Sequence, residues 1–501
     1  MKPLSLVHAL GCLLAVLFPV HAAVPGFKVT TDRTIDASSL ESIVAQVTAR
    51  AGARSNDEQA IAIYEYLHHS IFHYAYPEEK AQSVGPLKVL NVYGWGLCGG
   101  QHTVLKALFE TAGWECRYVG WSNPGHTTIE VKYDGRWHYF DVFLKCYFWS
   151  KDRSHVVSQE EIAADPSLVL AAVKEGRAAR AHLCCGDEEK GVISGVRSRK
   201  IAGDQKGWAS VTWRDENYSP LLRLPSGASL RLGWGMETNG FAVNLARQPL
   251  HTCQMKDLRN DPVLGPLAEH YGPRSWSNGR LLYAPGFAKA ADVADIELTA
   301  ARAEGNQLIA TGPRGAAIFK LPLPYVYVSA TPFASFTGGV GKLSLSTDGG
   351  KTWSVCRAGI TTDAVKQRYE VWFKGEFAGA LTEFRVEALV EHNRGVLPYL
   401  ANGRNTITVA TGDESLPKGA SVTVTYAYQE ASVPNPEKRK RWDGTGITYG
   451  PVKTVTKEIS ALPFQFDVEV GGNLPPRMLS LERAVVGRQS IGSGGGGKGG
   501  D

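Results

Sequence analysis

Beyond its opening residues the chain holds no apolar stretch long enough to cross a bilayer, which takes about 20 consecutive residues. It also lacks a strong net charge. Its 54 Lys and Arg against 49 Asp and Glu leave +5 over 501 residues, with no concentration of either sign. That excludes the basic footprint of a nucleic-acid binder. No segment recurs at a fixed period, which excludes a repeat architecture. Zinc-like spacing is missing too. Cys184-Cys185 and His251-Thr252-Cys253 have no second ligand pair, so disulfide or core use is expected of them. No acidic loop has calcium-ligand spacing. The expectation is therefore no metal and no cofactor.

Cysteine is scarce, at eight residues, and its placement is informative. Cys12 lies inside the apolar run Leu10 to Val20, which follows Lys2 and precedes Val20-His21-Ala22. This is the pattern of a signal peptide over residues 1–22, cleaved after Ala22. Ala9 rather than leucine stands three residues before Cys12, which argues against lipidation. The mature protein is expected to be secreted or periplasmic, with no stable membrane span. Seven cysteines then remain: Cys98, Cys116, Cys146, Cys184, Cys185, Cys253 and Cys356. An odd number in an exported protein leaves at least one free thiol or an intermolecular bond. If that thiol is Cys98, six cysteines are available for up to three disulfides of unspecified connectivity.

A chain of this length calls for several domains. Ser55 followed by Glu58 reads as a capped helix start, with Ile61, Tyr64, Leu67, His68 and Ile71 at helical spacing. A second helix is expected over 98–112, where Val104, Leu105, Leu108, Phe109 and Ala112 form one stripe and Gly113 stands at the end. Strands are expected over Trp114 to Trp121, Thr127 to Tyr133 and Arg136 to Phe143. The last two are joined by the hairpin signal Asp134-Gly135. Ser167 to Ala181 reads as a further helix. Past residue 205, short alternating strands and glycine turns dominate. The expected organisation is a helical and stranded domain over 23–204, a β-rich middle domain over 205–290, a β-sandwich-like domain over 291–487 and a flexible tail over 488–501.

Chemistry is concentrated around Trp95-Gly96-Leu97-Cys98-Gly99-Gly100-Gln101. A thiol at a helix start meets unpaired N–H groups and the positive end of the dipole, which favour its ionised, nucleophilic form. Gly99 and Gly100 let a substrate approach the backbone. A cysteine nucleophile needs a base, and the base needs a group to orient it. If Asp134 and Gly135 are the two turn residues, paired positions of the hairpin put 126 opposite 143 and 128 opposite 141. His126 and Asp141 then form a diagonal pair on one sheet face, within hydrogen-bonding reach, while His138 falls on the other face. His102, one turn below Cys98, is expected to have a structural or surface place.

Gly96-Leu97-Cys98, the following helix, Gly113 with Arg117-Tyr118-Val119, Gly125-His126 and Gly135-Arg136-Trp137 with Phe140-Asp141 resemble the transglutaminase-like superfamily. The resemblance covers roughly residues 55–145. It implies a papain-like α+β fold with Cys98 as nucleophile, His126 as general base and acid, and Asp141 as orienter. Thr127 after the histidine and Val142-Phe143 after the aspartate depart from the family's usual residues, which bears on substrate preference. Calcium, used by the larger animal members, is not carried over. Trp95 and Gln101 are candidate substrate contacts, as are Tyr271 and Arg274 in the loop Tyr271-Gly272-Pro273-Arg274-Ser275-Trp276-Ser277-Asn278.

Ser346-Thr347-Asp348-Gly349-Gly350-Lys351-Thr352-Trp353 resembles the Asp-box of sialidase-like and other extracellular β domains, which implies a structural turn. The fold expected is an α+β papain/transglutaminase-like N-terminal domain followed by mainly-β, sandwich-like domains. The function expected is a cysteine amide or peptide hydrolase, or an acyl transferase, acting through a Cys98 thioester. Its partner would be an extracellular or cell-envelope protein, peptide or polysaccharide. The alternative is a polysaccharide-binding or polysaccharide-processing protein whose papain-like domain is inert.

Overall fold

A computed structural model describes residues 24–73, 77, 79, 84–178, 188–201, 218–235, 276–288, 292–412, 415–417, 419–436 and 446–486. The expected signal peptide and tail lie outside these residues, as do Tyr271, Arg274, Cys184, Cys185 and Cys253. Among the described residues no helix is long and apolar enough to cross a membrane.

The N-terminal region begins with β1 (Phe27–Thr31), α1 (Leu40–Ala51) and α2 (Asn56–Ser70). Ser55 caps α2 as its spacing predicts: its side chain accepts from Glu58 N at 3.2 Å, and Glu58 reaches back to Ser55 N. Two short parallel strands, β2 (Phe72–His73) and β3 (Trp95–Gly96), flank a three-residue helix, α3 (Pro86–Lys88), and a π-helical turn over Val89–Tyr93. Then come α4 (Cys98–Thr111), β4 (Glu115–Ser122), β5 (Gly125–Tyr133), β6 (Arg136–Phe140), α5 (Gln159–Ala164), α6 (Glu188–Arg197) and β7 (Arg199–Ile201). Strands β4 to β7 form one sheet in the order β6-β5-β4-β7.

That sheet is covered on both faces. Val104, Leu105, Leu108 and Phe109 of α4 share a buried cluster with Ile129, Val131 and Phe140 and with residues of α1 and α2. Val119, Trp121 and Tyr139 belong to a second cluster with Ile162 of α5 and Val192, Ile193 and Val196 of α6. The alternation of a strand sends successive side chains to opposite faces, which is how one sheet serves both clusters.

Two expected elements differ. Strand β6 stops at Phe140 rather than Phe143, because the Asp141 carboxylate accepts from Phe143 N at 3.0 Å and Leu144 N at 2.7 Å and turns the chain. The helix expected from Ser167 is replaced, over the described residues to 178, by a 3-10 turn at Pro166–Leu168 and further turns. Ala171 and Gly176 have φ of 60° and 66°, left-handed values that a right-handed helix does not accept. The apolar residues Val169 and Ala172 of this segment are buried in the second cluster all the same.

The C-terminal region is mostly sheet. Among the described residues, nine strands form the largest sheet, in which Ala228–Gly233 and Trp276–Tyr283 lie beside one another and between Leu474–Val486 and Ala380–Asn393. The division expected near residue 290 therefore runs through a single sheet. A five-stranded sheet includes Gly315–Pro322, Gly341–Ser346 and Glu370–Phe377. A three-stranded sheet joins β1 to Gly403–Thr411 and Phe464–Val470, so the first described strand pairs inside the β region. At the turn following Ser346, Asp348 accepts from Ser346 Oγ at 2.7 Å, Thr352 N at 2.9 Å and Thr352 Oγ1 at 2.6 Å. The side chain ties the turn, bonding on both sides of it.

The disulfides expected of an exported chain are not formed among the described cysteines: Cys98, Cys116, Cys146 and Cys356 are thiols. Burial pushes the Cys356 thiol up to about 11 and the Cys116 thiol higher still, so both stay protonated at neutral pH.

Candidate active site

Cys98 is the first residue of α4, following Leu97 in extended backbone conformation. No side chain caps this helix start and no acidic residue lies in its first turn, so the positive end of the dipole is left for the thiol. The side chain is partly exposed. In this respect it differs from Cys146, whose place is that of a packed cysteine.

The hairpin delivers the other two groups. Asp134 and Gly135 have φ of 51° and 76°, the left-handed pair of a two-residue hairpin turn, and Tyr133 faces Arg136. The register runs on to Ile129 opposite Phe140. His126 Nε2 donates to Asp141 Oδ2 at 2.7 Å. Asp141 has no exposed surface and also accepts from Tyr139 OH at 2.9 Å on Oδ2. Its other oxygen takes the two backbone N–H groups of the turn, so the carboxylate is held from four directions. Burial by itself would raise the Asp141 pKa. The charges of His126 and His102 and their hydrogen bonds outweigh it and hold the group well below the usual carboxylate range.

His126 is walled by Trp121, Phe143 and His102, with ring centroids at 5.1, 5.3 and 5.5 Å. Burial would lower its pKa. The Asp141 charge and hydrogen bond, followed by the interaction with the Cys98 side chain, overcome burial and raise it to about 9. Because Nε2 donates to Asp141, Nδ1 is the nitrogen left for the thiol proton, and Nδ1 has no nitrogen or oxygen partner. The arrangement is a thiol, an imidazole and a carboxylate in series.

The remaining candidates fall elsewhere. Trp95 is fully buried, and its indole N–H donates to Glu391 Oε1 of the β region at 3.3 Å. Gln101 is buried too, on α4. Neither presents side-chain surface to solvent. Two residues enter that the sequence reading passed over or set aside. Tyr139 could have been found from its spacing, since it stands two before Asp141 and so shares its strand face. His102 is buried against Asp141 and not at the surface: Nε2 lies 3.5 Å from Asp141 Oδ1 and 3.3 Å from Thr128 Oγ1.

His102, His126 and Asp141 bring ligand-type atoms within 4.8 Å of one another. Two ligands of a tetrahedral zinc, each about 2.1 Å from the ion, stand about 3.4 Å apart. The 2.7 Å between His126 and Asp141 is the length of a hydrogen bond, and the carboxylate's acceptor positions are filled. The donor set suits proton transfer better than a cation.

Residues 41–142 match the family model described as the transglutaminase-like superfamily, and all three groups fall within that span. The N-terminal region is thus a transglutaminase-like domain, followed by a mainly β region. No curated protein shows sequence similarity to the chain. Among solved structures, the chain is similar to the CBM22-1-CBM22-2 tandem domain of Paenibacillus barcinonensis Xyn10C (11% identity, 42% of this chain, 86% of that one, TM-score 0.11). It is also similar to a β-porphyranase of glycoside hydrolase family 86 from the human gut bacterium Bacteroides plebeius (12% identity, 39% of this chain, 37% of that one, TM-score 0.10). A third is BuGH86wt in complex with neoagarooctaose (9% identity, 39% and 35% covered, TM-score 0.12). The chain spans little more than a third of the length of the two glycoside hydrolase structures. At these TM-scores the likeness assigns neither a fold nor a ligand.

Proposed function

We propose that this protein is an exported cysteine acyl-transfer enzyme, an amide or peptide hydrolase, with Cys98 as nucleophile, His126 as general base and acid, and Asp141 as orienter. The observation that carries the reading is the buried His126, bonded to Asp141 at 2.7 Å and interacting on its other side with the Cys98 side chain. A sulfur at a helix start, a base with one free ring nitrogen and a fixed carboxylate are the parts nucleophilic catalysis requires.

In the first step Cys98 Sγ bonds to the acyl carbon, the C–N bond breaks, and the thiol proton passes through His126 Nδ1 to the departing amine. In the second, water gives a proton to His126, its oxygen bonds to the acyl carbon, and the C–S bond breaks. The proton held on His126 returns to the sulfur. The product is a carboxylic acid and the thiol is restored. An amine in place of water would make the same intermediate an acyl-transfer donor, which is the finer alternative within this reading.

The test is a panel of glutamine- and amide-containing peptides mixed with the full chain, quenched in acid and weighed intact. A mass increase equal to the acyl group, located on Cys98 and abolished in Cys98→Ala, is expected. If the folded protein carries no adduct with any donor and Cys98 is also unreactive to iodoacetamide, the domain is inert. The polysaccharide-binding reading would then be taken up by glycan-array binding of Cys98→Ala.

A further inference from the structure

His102 is not needed for a three-membered relay, yet the fold buries it completely at the centre of one. Its Nδ1 lies 2.8 Å from the carbonyl oxygen of Cys98, four residues back on the same helix. A carbonyl only accepts, so Nδ1 carries a hydrogen and donates it. Its Nε2 faces Thr128 Oγ1 of β5 at 3.3 Å and Asp141 Oδ1, just past β6, at 3.5 Å. The titratable groups around the ring are therefore Cys98 on its own helix, His126 on β5 and Asp141 after β6.

We infer that His102 is a positioning residue for the nucleophile: it ties the backbone of Cys98 to Thr128 of β5, beside the carboxylate that orients the base. Cys98 is then held twice from the hairpin, at its sulfur through His126 and at its carbonyl through His102. The inference rests on the reading of Cys98 as nucleophile and adds a residue to it. The physical need is clear in α4 itself. Cys98 is followed by Gly99 and Gly100, poor helix formers, and the helix start has no side-chain cap. A first turn so built needs an outside tie to keep the thiol aimed at His126. Thr103 contributes a lesser one, donating to Gly99 O at 2.8 Å and accepting from Tyr118 OH of β4 at 2.8 Å.

The experiment compares the rate of Cys98 alkylation by iodoacetamide across pH 5 to 9 in the full-length protein, wild type against His102→Phe, His102→Asn and His126→Ala, with the label located by mass spectrometry. Phenylalanine keeps a ring in the space and removes both bonds. Asparagine places an N–H near the position of Nδ1 and so keeps the tie to the Cys98 carbonyl. The expected result is a loss of about tenfold in rate near pH 6 for His102→Phe, with the pH midpoint displaced toward that of an ordinary thiol at ~8.5, and recovery of part of that loss in His102→Asn, which keeps one end of the tie and lacks the other. Circular dichroism of each variant establishes that it is folded, and if His102→Phe is not, the asparagine variant against His102→Ala carries the comparison. Equal rates in wild type and His102→Phe overturn the inference, as does an equal loss in the phenylalanine and asparagine variants. If wild-type Cys98 is itself slow near pH 6 and His126→Ala changes nothing, the nucleophile reading fails first. If His126→Ala is slow and His102→Phe is not, only the role of His102 fails.

Discussion

The His126–Asp141 bond couples folding to pH in a direction that can be worked out. His126 has its pKa raised from 6.5 to about 9 in the folded protein, so its contribution to stability is complete below pH 6.5 and is lost as pH rises through 9. Asp141 is shifted the other way, so its contribution persists above the ordinary carboxylate range and disappears only in acid well below it. The melting temperature of wild type is therefore expected to fall between pH 6.5 and 9, and that slope should flatten in Asp141→Asn, as read by scanning calorimetry. Parallel slopes in the two proteins would show that the pair does not carry the coupling. This pair is legible in the amino-acid sequence, because a two-residue turn at Asp134-Gly135 sets the parity of every residue in the hairpin. His102 is not legible in the same way. Helical spacing places it near Cys98, but its burial depends on where β5 and Asp141 come to rest, which no local rule states.

At the scale of elements, the wall of the site is held by a helix that contributes none of the three reactive groups. Gly195 of α6 lies flat on the indole of Trp121: a Cβ there would stand 1.9 Å from the ring. Trp121 is further fixed by its N–H, which donates to Gln159 Oε1 at 2.8 Å, and it forms the edge contact with His126. Gly195→Ala must push the indole aside. Overpacking of this kind costs about 1–3 kcal/mol, and a urea titration should show it, accompanied by slower alkylation of Cys98. A variant within about 0.5 kcal/mol of wild type would mean that Trp121 moves without resistance. The segment from Ser167 reads as a helix in the sequence, yet its apolar residues are buried from turns, and left-handed Ala171 and Gly176 exclude the helix.

At the scale of the molecule, the transglutaminase-like domain is completed by the β region. Val326 and Val328 sit in the same core cluster as α1, α2 and α4. Asn393 Nδ2 donates to the backbone oxygens of Ser70 and Leu90 at 3.0 and 2.6 Å. Buried Lys88 pairs with Glu79 at 2.8 Å, whose other oxygen accepts from Tyr93 and from Tyr369 of the β region. Trp95, three residues before Cys98, is tied to Glu391. A fragment ending at residue 201 would expose apolar core and take from Ser70 O, Leu90 O, Glu79 and Trp95 the partners that the β region supplies. It is expected to lack a cooperative calorimetric transition, whereas the full chain has one that includes the N-terminal domain. A fragment that melts cooperatively near the temperature of the intact protein would show the domain to be independent.

What the sequence alone determined is the set of features governed by neighbours along the chain. These are the Ser55 cap, the helix that begins at Cys98, the Asp134-Gly135 turn and the register it imposes, and the likeness that residues 55–145 bear to the transglutaminase-like superfamily. The first three depend on periodicity, a cap or a turn and need only a few adjacent residues to be specified, whereas the likeness rests on the motifs around Cys98, His126 and Asp141. The tertiary structure decided the rest: that β1 pairs with Gly403–Thr411, that strands from both sides of residue 290 share a sheet, that Trp95 turns toward Glu391 and that His102 is drawn under Asp141. Those outcomes are settled by competition among distant surfaces for burial and for hydrogen-bond partners, and that competition has no local signature in the chain.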